Sequence, residues 1–183
     1  MDLYTLFKFL HIAAAIAWIG GGLTLCAMGW FAAHAKDDAE MLRILGGVGF
    51  MANRWFVPTS LLTLVFGIIM AFLGNLWGEA WVLLGLVGFA ATFITGHFVL
   101  RIKAMAAVKL IGEGKLAEAA VHGRQLLQVA KFDYTMLFTV VAIMTLKPVW
   151  TNFVTLGALA AILVVAGFVF LAGGFKASQP QAA

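Results

Sequence analysis

Residues 3–31 read LYTLFKFLHIAAAIAWIGGGLTLCAMGWF, an apolar run in which Lys8 and His11 are the only charged or imidazole side chains. At 1.5 Å of rise per residue, a helix of this length outreaches the roughly 30 Å hydrocarbon core of a bilayer. It is also too long for the apolar region of a cleaved secretion signal. Working outward, further apolar runs cover 56–76, opened by Pro58, then 80–100 and 153–175. Between Asp133 and Lys147 lies a shorter run than the roughly 17 residues a spanning helix needs, so one of those two charges is expected at a membrane boundary. The fold class that follows is all-α: a transmembrane bundle of five spans, one domain over 1–176, with a disordered tail over 177–183.

Composition agrees with this reading. Of 183 residues, 63% are hydrophobic and 11% charged, against a charged share of about 25% in soluble domains. A soluble globular fold is excluded. The single cysteine, Cys26, excludes a disulfide framework. The net charge of +4 forms no basic stripe on a soluble domain, which argues against nucleic acid as a partner. Phosphate-binding loops, Cys-x-x-Cys pairs and nucleophile elbows are absent from the sequence, so nucleotide and acyl-transfer chemistry have no footing.

Charge placement predicts orientation. All lysines and arginines except Lys8 and Lys147 fall in the segments joining spans one to two and three to four, or after span five, as Lys176 does. By the positive-inside rule the N-terminus lies outside and the C-terminus in the cytoplasm. Segments 38–53 and 116–130 carry apolar residues at helical spacing; they are expected to extend spans two and four or to lie on the inner surface. The expected location is a bacterial cytoplasmic membrane, with the lipid bilayer as first partner and a homo-oligomer left open.

Polar side chains within spans need an interior partner or a ligand. His11 lies about two turns into the first span, and Trp18 follows on the same helical face, then Gly20-Gly21-Gly22. Gly21 and its neighbours would admit either a flat group or another helix. His11 itself reads as a metal or heme ligand, or as a core histidine bonded to a neighbouring carbonyl. His97 is about 15 Å deeper than His11, so one heme held by both is disfavoured and two sites are easier: an outer one on His11, and an inner one on His97 with His34 or His122. Met70 and Met144 could lend a thioether to the outer site, or simply fill gaps. Arg54 and Arg101 stand at the inner boundary as partners for heme propionates. Asp133 reads as an interfacial ion pair with Lys131, Arg54 or Arg101, or as a proton relay.

The order Lys8-Phe9-Leu10-His11, Trp18-Ile19-Gly20-Gly21, Asn53-Arg54-Trp55-Phe56-Val57-Pro58, Leu61-Leu62-Thr63-Leu64-Val65-Phe66-Gly67 and Met144-Thr145-Leu146-Lys147-Pro148 resembles the CopD/HemJ-like superfamily of bacterial membrane proteins. The resemblance covers about the first 150 residues. It implies heme b on His11 and, in the HemJ-like branch, protoporphyrinogen oxidase activity. The arginine of that branch is replaced here by Cys26, and its third-span lysine by the Ala80-Trp81-Val82 stretch. The CopD-like branch implies copper uptake, for which Cys26, Met28, His34 and His97 would be inner steps. The reading carried forward is a heme b membrane protein passing electrons between a quinone or small oxidant and a partner protein. Copper handling and a non-catalytic membrane subunit are the alternatives.

Overall fold

The computed structural model describes residues 2–173, and every regular element in them is helical. Five helical runs are long and apolar enough to cross a membrane: Leu3–Ala33, Asp38–Leu73, Ala80–Gly112, Leu116–Leu146 and Phe153–Ala172. We label them α1 to α5 in that order. The tail expected over 177–183, the cation Lys176 and the end of span five at 175 lie outside the described residues.

Helix α1 starts at an N-cap: the Asp2 carboxylate accepts the Thr5 backbone N–H at 2.7 Å. That bond holds the Asp2 carboxyl below its usual range. The cap's contribution is therefore complete above the ordinary aspartate pKa of about 3.9 and fades as pH falls through the lowered value.

Two expectations change. Span two does not begin at 56 with Pro58 in its first turn; α2 runs unbroken from Asp38 to Leu73 with the proline inside it. Pro58 has no N–H to offer the carbonyl one turn back, and its ring crowds that carbonyl. The chain answers by widening Ala52–Phe56 into a π-turn, in which the Val57 N–H bonds the Ala52 carbonyl. Span four is not short either: α4 continues from Leu116 to Leu146. Asp133 lies roughly 20 Å along the helix from its Leu146 end, at 1.5 Å per residue. It is 6% exposed, and its Oδ1 has no hydrogen-bond partner. The boundary ion pair expected for it is not formed. Segments 38–53 and 116–130 extend the spans, the first of the two arrangements open to them.

The two ends of the bundle are built differently. At the end away from the N-terminus, Ala32, Met41, Leu42, Ala107, Ala119, Ala120 and Leu127 form a close-packed cluster of small and flexible side chains. Beside it Arg124 pairs with Asp38 at 3.0 Å, a half-exposed bridge worth about 0–1 kcal/mol. At the N-terminal end, α2 and α3 meet in a tight turn where Asn75 takes φ 51°, tolerable for asparagine. Helix α4 stops at Lys147, also left-handed at φ 48°, followed by buried Pro148.

Ala120 is fully buried, so Ala120→Leu overpacks the alanine cluster. A loss of about 1–3 kcal/mol is expected, read as a lower thermal midpoint in one fixed detergent.

Candidate functional site

A cavity of about 460 Å3 opens at the N-terminal end of the bundle, walled by α1, α2, α3 and the last turns of α4. That volume is in the ordinary range for small-molecule sites, about 300–1,000 Å3. Its existence follows from small residues on the walls: Ala15 on α1, Gly67 and Ala71 on α2, and Gly85 on α3. A methyl group on Gly67 would stand 3.0 Å from His11 Cε1 and 3.1 Å from Nδ1. The glycine is thus what lets the imidazole lie against α2.

His11 is the polar centre of the wall. Its Nδ1 donates to the Thr63 carbonyl at 2.8 Å, a bond between α1 and α2. A carbonyl can only accept, so Nδ1 carries the proton, and in the neutral ring Nε2 keeps its lone pair. Of the two readings left open by the sequence, the structure shows the core histidine bonded to a neighbouring carbonyl, and that bond does not occupy Nε2. Fixing a histidine by a carbonyl on its second nitrogen is the usual support of a metal-bound imidazole.

Trp18, 4% exposed, lines the inner part of the cavity and packs against Phe89 and Phe56 at ring-centroid separations of 5.6 and 6.0 Å. Its indole N–H and that of Trp77, another wall residue, have no hydrogen-bond partner. Met70 and Met144 are both on the wall. Met144 is seated on Gly85, where a β-carbon would collide with its terminal methyl. At the rim, the Lys147 ammonium lies 5.0 Å from the centre of the Trp81 ring, and Lys8 completes that end.

The remaining sequence candidates lie elsewhere. Gly21 faces Trp55, whose Cδ1 would be 2.7 Å from an added β-carbon, and the Trp55 indole donates to the Ala17 carbonyl at 3.1 Å. The flat group taken up beside Gly21 is a side chain of the protein itself. His97 is exposed on α3, stacked on Phe93 at 5.9 Å with ring planes 4° apart. His34 caps the end of α1 and donates to the Trp30 carbonyl at 2.9 Å. His122 has a buried Nδ1 without a partner. Arg54 is exposed over the Phe50 ring, and Arg101 is exposed as well. No group of three or more His, Cys, Asp or Glu residues suited to a metal ion occurs among the described residues. His11 is the only histidine on the cavity wall. Sequence reasoning missed Trp77, Trp81, Gly67 and Gly85. The spacing Thr63-x3-Gly67-x3-Ala71, a small-residue stripe on one helical face, was the available signal.

A lipid-embedded helix bundle with one histidine-bearing cavity defines a polytopic integral membrane protein. Residues 5–148 match the family model described as Predicted integral membrane protein (DUF2269), and the chain belongs to that family. No curated protein and no solved structure matches it.

Gly67→Val is expected to displace the His11 ring and break its bond to Thr63. Solid-state 15N spectra should show one Nδ1–H tautomer in the wild type and a mixed population in the variant. The thermal midpoint should fall as well, for a loss of about 1–3 kcal/mol.

Proposed function

We propose that the protein binds heme b in the N-terminal-end cavity through His11 and works as a redox protein, exchanging electrons with a quinone or a partner protein. The observation that carries this reading is the His11–Thr63 bond, which leaves Nε2 as the free donor of an oriented imidazole on an apolar wall. The motif resemblance to CopD/HemJ-like proteins points to the same residue.

The donor set fits the group. A neutral imidazole is a common axial ligand, and a thioether from Met70 or Met144 is a known second one. Apolar side chains dominate the rest of the wall, with Trp18 and Phe89 as flat faces. In this reading His11 holds the iron, Thr63 fixes the tautomer, and the apolar wall excludes water. Bound heme would supply one-electron transfer, at a potential set by the axial ligands and by burial. The positive-inside rule places the cavity at the outer face of a bacterial cytoplasmic membrane, since of the described lysines and arginines only Lys8 and Lys147 are at that end.

A second reading is favoured by Met70 and Met144 sharing the wall with His11: two thioethers and an imidazole are a soft set suited to Cu(I). Cys26, Met28, His34 and His97, the inner steps a copper path would use, are not on that wall.

An absorption spectrum of the protein purified in mild detergent, oxidised and reduced, with metal analysis of the same sample, decides between them. A Soret band with sharp reduced α and β bands, lost or shifted in His11→Ala, is expected. A colourless sample carrying copper would establish the second reading. A Soret band unchanged in His11→Ala would overturn the assignment of the ligand.

A further inference from the structure

The rim of the cavity carries two lysines, both exposed, and no carboxylate. Lys8, Lys147 and His11 are on the wall, and no aspartate or glutamate is. Neither lysine forms an ion pair among the described residues. Asp2, at the same end, caps α1 with its carboxylate and lies within electrostatic reach of Lys8 without forming an ion pair with it.

Lys147 occupies a position that local structure disfavours. Lys147 has φ 48° and ψ 55°, left-handed values that glycine adopts without steric cost and that commonly close a helix at glycine. It also precedes Pro148, whose ring restricts the backbone before it. A cation at a helix C-terminus is electrostatically welcome, so Lys147 alone could be a helix-end device. Lys8 cannot be, because it lies in the second turn of α1, at the helix's N-terminal end, where no terminal carbonyl awaits a cation. Two lysines from opposite ends of two different helices, one of them in a strained conformation, converge on one cavity. An outlier kept at a site is a pointer to what the site does.

We propose that Lys8 and Lys147 form a carboxylate-binding rim, so that the cavity takes an anionic amphiphile whose apolar body lies among His11, Trp18 and Gly85 and whose acid end stays with the two ammonium groups. Trp81 steadies one of them. This rests on the reading of the cavity as a ligand site and names the ligand's class; it does not require the ligand to be heme. A porphyrin's propionates and a fatty acid's carboxylate offer the same chemistry to the rim.

The full chain in phosphatidylcholine nanodiscs separates these sources. One arm measures quenching of tryptophan fluorescence by brominated stearic acid and by its methyl ester, since Trp18, Trp77 and Trp81 line the cavity. The other titrates hemin against hemin dimethyl ester. In at least one arm the acid should bind about tenfold more tightly than its ester, the scale of one charge-assisted hydrogen bond. Lys8→Gln and Lys147→Asn should abolish that preference and leave ester affinity unchanged. Preference in the hemin arm alone identifies a porphyrin, and in the stearate arm alone an acyl chain. Equal binding of acid and ester in both arms would overturn the rim, even with hemin bound through His11. Failure of hemin and its ester to bind, with the stearate preference intact, would overturn the heme reading and keep the rim. Lys147→Gly, which relieves the left-handed strain, should raise the thermal midpoint by about 2–4 °C while removing the acid preference. A lower midpoint with the preference unchanged would make Lys147 a structural cap and overturn its role in the rim.

Discussion

Inside a bilayer every polar group needs a partner within the protein, and this requirement shapes the bundle from the backbone outward. Helices satisfy the main chain. Side-chain hydroxyls on the spans then turn back onto their own helix: Ser60 bonds the Val57 carbonyl, Thr63 that of Thr59, Thr92 that of Phe89 and Thr139 that of Thr135, at 2.8–2.9 Å. These bonds make each helix self-sufficient and hold no helix to another. The Trp55 indole reaches from α2 to Ala17, and His11 reaches from α1 to Thr63. Both tie α1 to α2, at two depths. Between those ties the two helices are fixed in rotation as well as in separation, which is why His11 and Trp18 face the same cavity.

Against that rule a few groups stand out. The Trp18 and Trp77 indole N–H groups, His122 Nδ1 and Asp133 Oδ1 are buried without partners. Native structures contain few such groups, and each asks for an explanation. Two of the four belong to wall residues of the cavity, so unmet donors gather where a ligand could meet them. Asp133 is of another kind. It is placed inside the bundle on α4, one residue before Tyr134, away from the cavity wall.

The spans were legible in the sequence because hydropathy measures length, and length is what a bilayer selects. The joins between elements were not. Segments 38–53 and 116–130 read as amphipathic pieces because their polar faces suit an interface, yet a polar face is equally served where a helix simply runs on past the lipid. Asp133 reads as an interfacial ion pair because the run to Lys147 is short and a carboxylate needs a cation nearby to stay ionised, and nothing in the local sequence says that it lies inside the bundle instead. Among the cavity-wall residues, His11 and Trp18 were readable from their shared helical face. Gly21 was not assignable, since a glycine marks close approach without naming what approaches; Trp55, more than thirty positions away, takes that space. That Lys8 and Lys147 share the outer end was legible from the charge count; that both reach one cavity was not, because it depends on α1 and α4 presenting opposite ends to it.

The two ends of the bundle solve the packing of small residues in opposite ways. Where α2, α3 and α4 run on beyond their apolar stretches, alanines at zero or near-zero exposure bring the helices together and leave no room. At the other end the same closeness would be available: Gly67, Gly85 and Ala71 are small enough for tight contact between helices. Instead His11 is laid over Gly67 and Met144 over Gly85, so each of these two glycines receives a side chain from a neighbouring helix. The helices are thereby held apart at one end by the very residues that could serve a ligand. Packing the cavity shut would require displacing His11 and Met144 themselves. In this bundle, the open volume and its polar lining are one structural choice.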